Sequence, residues 1–405
     1  MSTAPMSPAT WVRHNLFRNR RDAITTVIAA VVVGWVVFQT LRFVFGTARW
    51  EVVRANLTLF LVGRYPADEQ WRIVAVLIAA AAVAGLVTGV LTKRRRRAAI
   101  ADDAPLPPLP FARRLGLIGA RYWPALVLLL VLLLLARTST PWVVAGAVIV
   151  AAVVGRLVGG ALPPKVGIVL YALPVVLPFV ALPFLTGPLG WDDWGGMMLT
   201  ILLATVSMIA CFPLGLLLAL GRRSTLPALR GLSIGVIEFF RGVPLVALVL
   251  MSDVGLGFFF PRDALPGRVV RVTIAFTIFT AAYVAEIVRG GLQSVPRGQT
   301  EAAQALGLPP VRMMALVVLP QALRNVIPAL VGQFISLFKD TTLVFIIGFL
   351  DVLSVADNVI QQPDFRGQGL FAESLVFAAA LFWVGAYTLS RESQRIERRL
   401  GVGSR

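Results

Sequence analysis

Residues Ser294–Leu330 read SVPRGQTEAAQALGLPPVRMMALVVLPQALRNVIPAL. The stretch opens with a short helix expected over Gly298–Leu306. Ala302, Ala303 and Ala305 favour helix, and Glu301 falls in its first turn, where the dipole favours an anion. Gly307 is placed to end it in the left-handed conformation. Pro309 and Pro310 cannot continue that helix, but Pro310 suits the first position of another. This second helix is expected to run to about Leu319 and stop near Pro320. The reading is a helix, a Gly turn and a helix, with small side chains on the first helix that let a partner surface come close. Long apolar runs flank the stretch on both sides, so it connects two helices of a membrane bundle.

Composition agrees. Of 405 residues, 58% are hydrophobic and 14% charged, with mean hydropathy +0.82. A soluble chain carries roughly a quarter charged residues. Ten membrane helices are expected, at about Ile24–Phe45, Trp71–Leu91, Tyr122–Ala136, Trp142–Val158, Val166–Thr186, Met197–Leu220, Leu232–Gly255, Val269–Val288, Asn325–Ile347 and Leu370–Leu389. Each is near the ~20 residues needed to cross a bilayer, the third and fourth being short. The first is longer than a signal-peptide core and lacks a nearby small-residue cleavage site, so it reads as an anchor.

The net charge of +18 comes almost wholly from Arg in short loops. Arg13, Arg18, Arg20 and Arg21, the run Lys93–Arg97, Arg113, Arg114, Arg222, Arg223, Arg230, Arg289, Arg297, Arg312 and the tail from Arg391 to Arg399 all fall on one side of a ten-helix chain. The other side carries Asp192–Asp193 and Asp351–Asp357. The loop Gly46–Gln70 fits less well, since Arg49, Arg54 and Arg64 accompany its acids. By the positive-inside rule both termini are cytoplasmic, and the charge speaks for topology, with no nucleic-acid partner. Cys211 and His14 are the sole Cys and His, which excludes a Cys/His metal cluster.

A composition shift near residue 190 divides the chain. Residues 1–190 form an accessory N-terminal region of about five helices, with a cytoplasmic linker at 93–121 that includes the Pro-rich DDAPLPPLP. Residues 191–405 form a second five-helix domain whose helices contain Glu238, Asp253, Glu286, Lys339 and Asp340. Ionisable residues within a membrane mark function or a structural pair. Glu238 and Arg241 share a helix face, and Gly242 and Pro244 loosen the helix after them. The group reads as a structural ion pair and kink, or as a broken helix beside a substrate path. Glu286 either holds a substrate ammonium or pairs with Arg289. Lys339, Asp340 and Thr341 suit either a zwitterionic substrate or an interface with another subunit. Asp253, Trp191, Trp194 and Phe258–Phe260 are placed at the water interface.

Against this background the quoted loop resembles the coupling signature of binding-protein-dependent ABC importer permeases. That signature is Glu-Ala-Ala, three residues, Gly, nine residues, Ile, one residue, Leu-Pro. Here it is Glu301, Ala302, Ala303, Gly307, Val317, Leu319 and Pro320, with Val317 in place of Ile. LGLLLALGRRS (Leu214–Ser224), EFFRGVPL (Glu238–Leu245), AAYVAEIVRGGLQSVPRGQ (Ala281–Gln299) and PQALRNVIPALVGQFISLFKDTTL (Pro320–Leu343) are similar to the polar amino-acid subfamily. The extra N-terminal helices resemble the larger M-type subunit of general L-amino-acid importers.

The resemblance implies an all-α bacterial inner-membrane protein that moves L-amino acids inward by alternating access. It implies ATP-binding subunits docked at loop 297–320, a second homologous permease in a heterodimer, a periplasmic amino-acid-binding protein and surrounding lipid. The chain itself would bind no cofactor and catalyse nothing, ATP and Mg being used by the partner. In agreement, no G-x-x-x-x-G-K-[ST] loop occurs, and none of Lys93, Lys165 and Lys339 follows a Gly. An ion-gradient-driven amino-acid transporter would use the membrane charges but leaves the coupling motif without a role. An intramembrane enzyme would need a catalytic pair at one depth, and the sequence offers none.

Overall fold

A computed structural model describes residues 7–101, 111–136, 138–163, 170–186, 194–261 and 265–401. The expected linker DDAPLPPLP, the start of the fifth helix at Val166, Trp191 and Asp192–Asp193 lie outside the described residues. By packing, the chain forms two compact units, Met1–Val52 and Val53–Arg405.

In the first unit, α1 (Pro8–Leu16) starts on Ser7, whose hydroxyl accepts the Thr10 N–H at 3.3 Å. Such a cap satisfies one of the orphan donors of a helix start. α2 (Arg20–Arg42) continues into a π-helical turn, Phe43–Thr47. No α2 residue is buried within the chain, as suits an apolar helix whose backbone is satisfied internally and whose side chains meet lipid.

The second unit begins within α3 (Glu51–Ala55) and continues with α4 (Leu57–Val62). α5 (Gln70–Ala101), α6 (Phe111–Leu135), α7 (Thr140–Ala161) and α8 (Leu173–Thr186) follow. α5 and α7 run in parallel and touch backbone to backbone. A Cβ at Gly85 would collide with the Ala152 carbonyl, at Gly89 with that of Arg156, at Gly155 with that of Ala82 and at Gly159 with that of Leu86. Each helix thus presents Gly-x-x-x-Gly to the other, a pairing that gains dispersion where no hydrophobic effect operates. Lys93 donates to the carbonyls of Ala161 and Leu162 at 3.1 and 2.9 Å, satisfying acceptors at the end of α7. α6 bends at Tyr122, just before Pro124. Its Trp123 packs on Trp383 and Tyr387, and its Arg121 lies 3.3 Å from Glu392.

The remaining helices are α9 (Gly196–Gly221), α10 (Pro227–Gly242), α11 (Leu245–Asp253), α12 (Arg268–Ser294), α13 (Arg297–Ala305), α14 (Pro310–Met313), α15 (Leu319–Asp340), α16 (Val352–Asn358) and α17 (Phe371–Leu400). α12 is the centre, with Phe276, Ala281, Ala282, Val284, Ala285 and Val288 fully buried. α9 approaches it at Gly215, where an added Cβ would meet Val284 and the Ala281 carbonyl. α15 approaches it at Gly291, beside Val326 and the Ala322 carbonyl. The accessory segment joins this core where Gly63 packs on Gly195, whose neighbour Gly196 donates to the Leu350 carbonyl at 2.7 Å.

Seven helices are long and apolar enough to cross a membrane among the described residues, α10 with α11 forms a bent eighth, and parts of α6 and α8 are shorter. The all-α membrane class holds, and α8 begins at Leu173. The expected single span Leu232–Gly255 is instead two helices bent by 100°. Val243 is extended, at φ −89° and ψ 134°, because the ring of Pro244 disfavours helix at the residue before it. Trp194 is fully buried and stacks edge-on with Tyr65, so it is no part of an interfacial belt. Phe258–Phe260 are exposed as that belt requires. Asp253 is not solvated either: it forms a two-pronged pair with Arg268, both contacts at 2.8 Å, and lies 3.5 Å from Arg271.

Replacing Gly155 with Leu is expected to force α5 and α7 apart, at a cost of about 1–3 kcal/mol. Gly146→Leu, where nothing lies within 4 Å of an added Cβ, is the control. Thermal unfolding of the purified protein in detergent checks this, with a lowered Tm expected for the first variant alone.

Candidate functional site

The quoted loop forms the turn between α12 and α15. α13 starts at Arg297, one residue earlier than expected. That places Glu301 beyond the first turn, where the dipole no longer holds it, and its side chain is exposed. α13 ends as the sequence implied. Gly307 has φ +71°, its N–H reaches the Gln304 carbonyl at 2.9 Å, and the Leu308 N–H reaches the Ala303 carbonyl at 3.1 Å. This paired closure is a Schellman cap, which a residue with a Cβ adopts only with strain.

The surface so formed projects from the bundle. Ala303 is buried against it, whereas Ala302 and Gly307 are exposed, and Leu306 and Val311 are 81% and 80% exposed. An apolar knob beside an exposed carboxylate, on a rigidly capped helix, has the form of a docking element. It is tied to the membrane part by side chains that motif reading passed over. Gln321 donates to Gln299 at 3.0 Å and to the Val317 carbonyl at 2.9 Å. Asn325 donates to the Ser294 hydroxyl at 3.0 Å.

The second loop helix does not stop near Pro320. α14 passes through a π-helical turn, Met314–Val318, directly into α15. Pro320 has no N–H and its ring crowds the carbonyl four residues back. The wider π turn, which contains Leu316 and Val317, accommodates both effects. Leu319 and Pro320 are therefore the first turn of the membrane helix, and α14 is joined to α15 without a break, α13 lying before the capped turn at Gly307.

Beside the loop sits an ionic cluster. Arg222, just after α9, donates to Glu238 of α10 at 2.9 Å and to Glu286 of α12 at 2.7 Å. Arg289 grips the other oxygen of Glu286 at 2.9 and 2.7 Å. Arg241 lies 4.0 Å from both carboxylates and over the Tyr283 ring. The expected Glu238–Arg241 pair is thus the weaker contact, and Arg222 is the bridge. Helical spacing could not reveal Arg222, which comes from another helix. Pro244 stands at the start of α11, beyond the break.

Lys339, Asp340 and Thr341 lie at the opposite end of the core. α15 ends at Asp340 and tightens into a 3₁₀ helix, Thr341–Ile347, closed by Gly348 at φ +81°. Lys339 is exposed and Asp340 half-buried. The buried Thr341 donates to the Phe338 carbonyl at 2.7 Å. Glu286 is about two turns from the loop end of α12, so the four residues named for a substrate path do not form one cluster.

Comparison with known proteins decides the family. The profile described as "Binding-protein-dependent transport system inner membrane component" matches residues 211–401. The glutamate/glutamine/aspartate/asparagine transport system permease protein BztC of Rhodobacter capsulatus is 34% identical over 96% of this chain and 93% of its own length. The chain belongs to the amino-acid permeases of ABC transporters. The inner membrane amino-acid ABC transporter permease protein YhdY of Escherichia coli is 32% identical over 97% of this chain and 93% of its own. A second Rhodobacter capsulatus permease protein, BztB, is 54% identical over 79 residues, 20% of this chain and 18% of its own. This ABC permease is thus the membrane-spanning subunit of a binding-protein-dependent amino-acid importer, a transport component, and not a carrier driven by an ion gradient.

Replacing Arg222 with Met in the permease removes the bridge and leaves Glu238 and Glu286 with fewer partners. We expect a loss of about 1–2 kcal/mol, read as a lowered unfolding midpoint, with Arg222→Lys intermediate.

Proposed function

We propose that α13 and the residues Glu301, Ala302, Ala303, Gly307, Val317, Leu319 and Pro320 dock into a cleft of an ATP-binding subunit. Closure of two such subunits on ATP then pushes α13. Past the rigid turn at Gly307, α14 runs unbroken into α15, so the push turns that helix against α12 and switches which end of the bundle is open. The observation that carries this reading is the exposed, Schellman-capped α13 tied to α15 by Gln299–Gln321 and Asn325–Ser294. This chain contributes no nucleotide site and no cofactor, ATP and Mg being used by the partner.

The Arg-rich side carrying α13 then faces the cytoplasm with both termini, in a bacterial inner membrane. A periplasmic amino-acid-binding protein delivers solute to the other end. The 54% match to BztB supports a homologous second permease in a heterodimer. The glutamate, glutamine, aspartate and asparagine transport for which BztC is named supports acidic amino acids and their amides as cargo. Lys339, Asp340 and Thr341 would then meet either solute or the second permease, and Glu286 would hold the loop end of α12 in register.

The test is uptake of labelled glutamine and glutamate into proteoliposomes. They hold this chain with its partner permease and ATP-binding subunits, with ATP inside, binding protein outside and an ionophore present. Uptake is expected to require ATP and to survive the ionophore. Gly307→Val is expected to cut it by about tenfold or more, since strain in the left-handed turn misplaces the docking surface. ATP-independent uptake that dies with the ionophore would overturn the reading.

A further inference from the structure

At the end of the core opposite α13 lies a cavity of about 660 Å³, within the size range of small-molecule sites. Two opposite charges line it: Arg64, from the accessory segment between α4 and α5, and Asp357 of α16. Asn358 and Ser354 add polar groups, and Trp194 and Phe345 supply apolar wall. Arg64 and Asp357 make no ion pair with each other or with another described residue, and both are exposed to the cavity. Opposite charges that share a cavity without meeting are complementary to a ligand that carries both signs.

Each charge stands on backbone that is held in place. On one side of Arg64, Gly63 adopts φ +67° against Gly195. On the other side, the buried Tyr65 donates to the Leu185 carbonyl at 3.1 Å. Asp357 rides on α16, whose start is capped by Asp351 accepting the Leu353 and Ser354 N–H groups at 3.1 and 3.0 Å. Ser354 gives its proton to the Phe349 carbonyl at 2.7 Å, so its oxygen toward the cavity is an acceptor. The Gly195–Leu350 bridge fixes the two halves of the wall to each other.

We infer that this cavity is a receiving site for a free α-amino acid, in which Arg64 takes the carboxylate and Asp357 the ammonium. Arg64 lies outside the family match at residues 211–401, so the accessory region supplies half of the recognition. The inference rests on the proposed sidedness, by which this end meets solute released from the binding protein. A planar guanidinium suits a carboxylate in two-pronged fashion, and the carboxylate of Asp357 accepts from an ammonium.

The experiment is equilibrium binding of labelled L-glutamine to the assembled permease complex in nanodiscs, without binding protein. The competitors are N-acetyl-L-glutamine, which lacks the ammonium, and glutamine amidated at its α-carboxylate. Arg64→Gln is expected to weaken L-glutamine about tenfold or more and to erase the preference over the α-amide. Asp357→Asn is expected to erase the preference over the N-acetyl compound, and Arg64→Lys to retain part of the affinity. A merely structural role would lower affinity without changing either preference, and that result overturns the inference. Unchanged L-glutamine binding in both variants also overturns it, as does the absence of binding to the wild type. If the variants impair only uptake driven by binding protein, the cavity receives a side chain of that protein instead. In each of these cases ATP-dependent uptake by the wild type leaves the importer reading standing.

Discussion

Helices in hydrocarbon do not attract one another through the hydrophobic effect, because lipid tails are as apolar as their side chains. What holds this bundle is close approach, and close approach needs positions without a Cβ. Gly85 and Gly89 of α5 admit the backbone of α7, Gly155 and Gly159 of α7 admit that of α5, Gly215 seats α9 on α12, and Gly291 seats α12 on α15. The same device joins accessory region to core at Gly63 and Gly195. A side chain at any of these points would have to displace backbone, which cannot yield as a flexible side chain can.

Given crossings of that kind, the departures from helix are informative, since each leaves backbone groups to be satisfied elsewhere in a medium without water. Four of them lie beside the loop, the ionic cluster or the opposite cavity: the break at Val243–Pro244, the cap at Gly307, the π turn before Pro320 and the 3₁₀ stretch from Thr341. Gly307 and the π turn shape the loop between α12 and α15. The break at Val243–Pro244 adjoins the ionic cluster, and the 3₁₀ stretch leads into the wall of the opposite cavity. The regular parts of the bundle carry the irregular ones in fixed positions.

Much of this was legible in the sequence where the signal was local. The cap at Gly307 follows from one residue type at one place, and apolar runs located the seven long spans among the described residues. Where a property depended on residues far apart in the chain, the sequence was silent. Glu238 with Arg241 and Glu286 with Arg289 were visible as spacings of three, yet Arg222, which bridges both carboxylates, was not, because it arrives from α9. Trp194 and Asp253 were assigned to the water interface by their position near helix ends. Tyr65 and Arg268, distant in sequence, cover them instead. Pro244 and Pro320 show a second limit. Each was recognised as a disruption, but one bends its span by 100° and the other is absorbed by a π turn, a difference set by what packs around them.

The loop and the far cavity are joined by one helical path. From Pro310 the chain runs through the π turn, α15 and the 3₁₀ stretch to Ile347 as a single 38-residue element. Its first turns carry Val317, Leu319 and Pro320, and its last contribute Phe345 to the cavity that also contains Arg64 and Asp357. A helix packed backbone-close at Gly291 cannot compress, so displacement at one end is conveyed as rotation or translation of the whole. The π turn and the 3₁₀ turn, with poorer hydrogen-bond geometry than the α-helix between them, are the sections that yield with least loss. Compliance at both ends and stiffness between them is the arrangement a long-range coupling element requires. A Pro-induced π turn at the loop end keeps that compliance next to the surface proposed to receive the push.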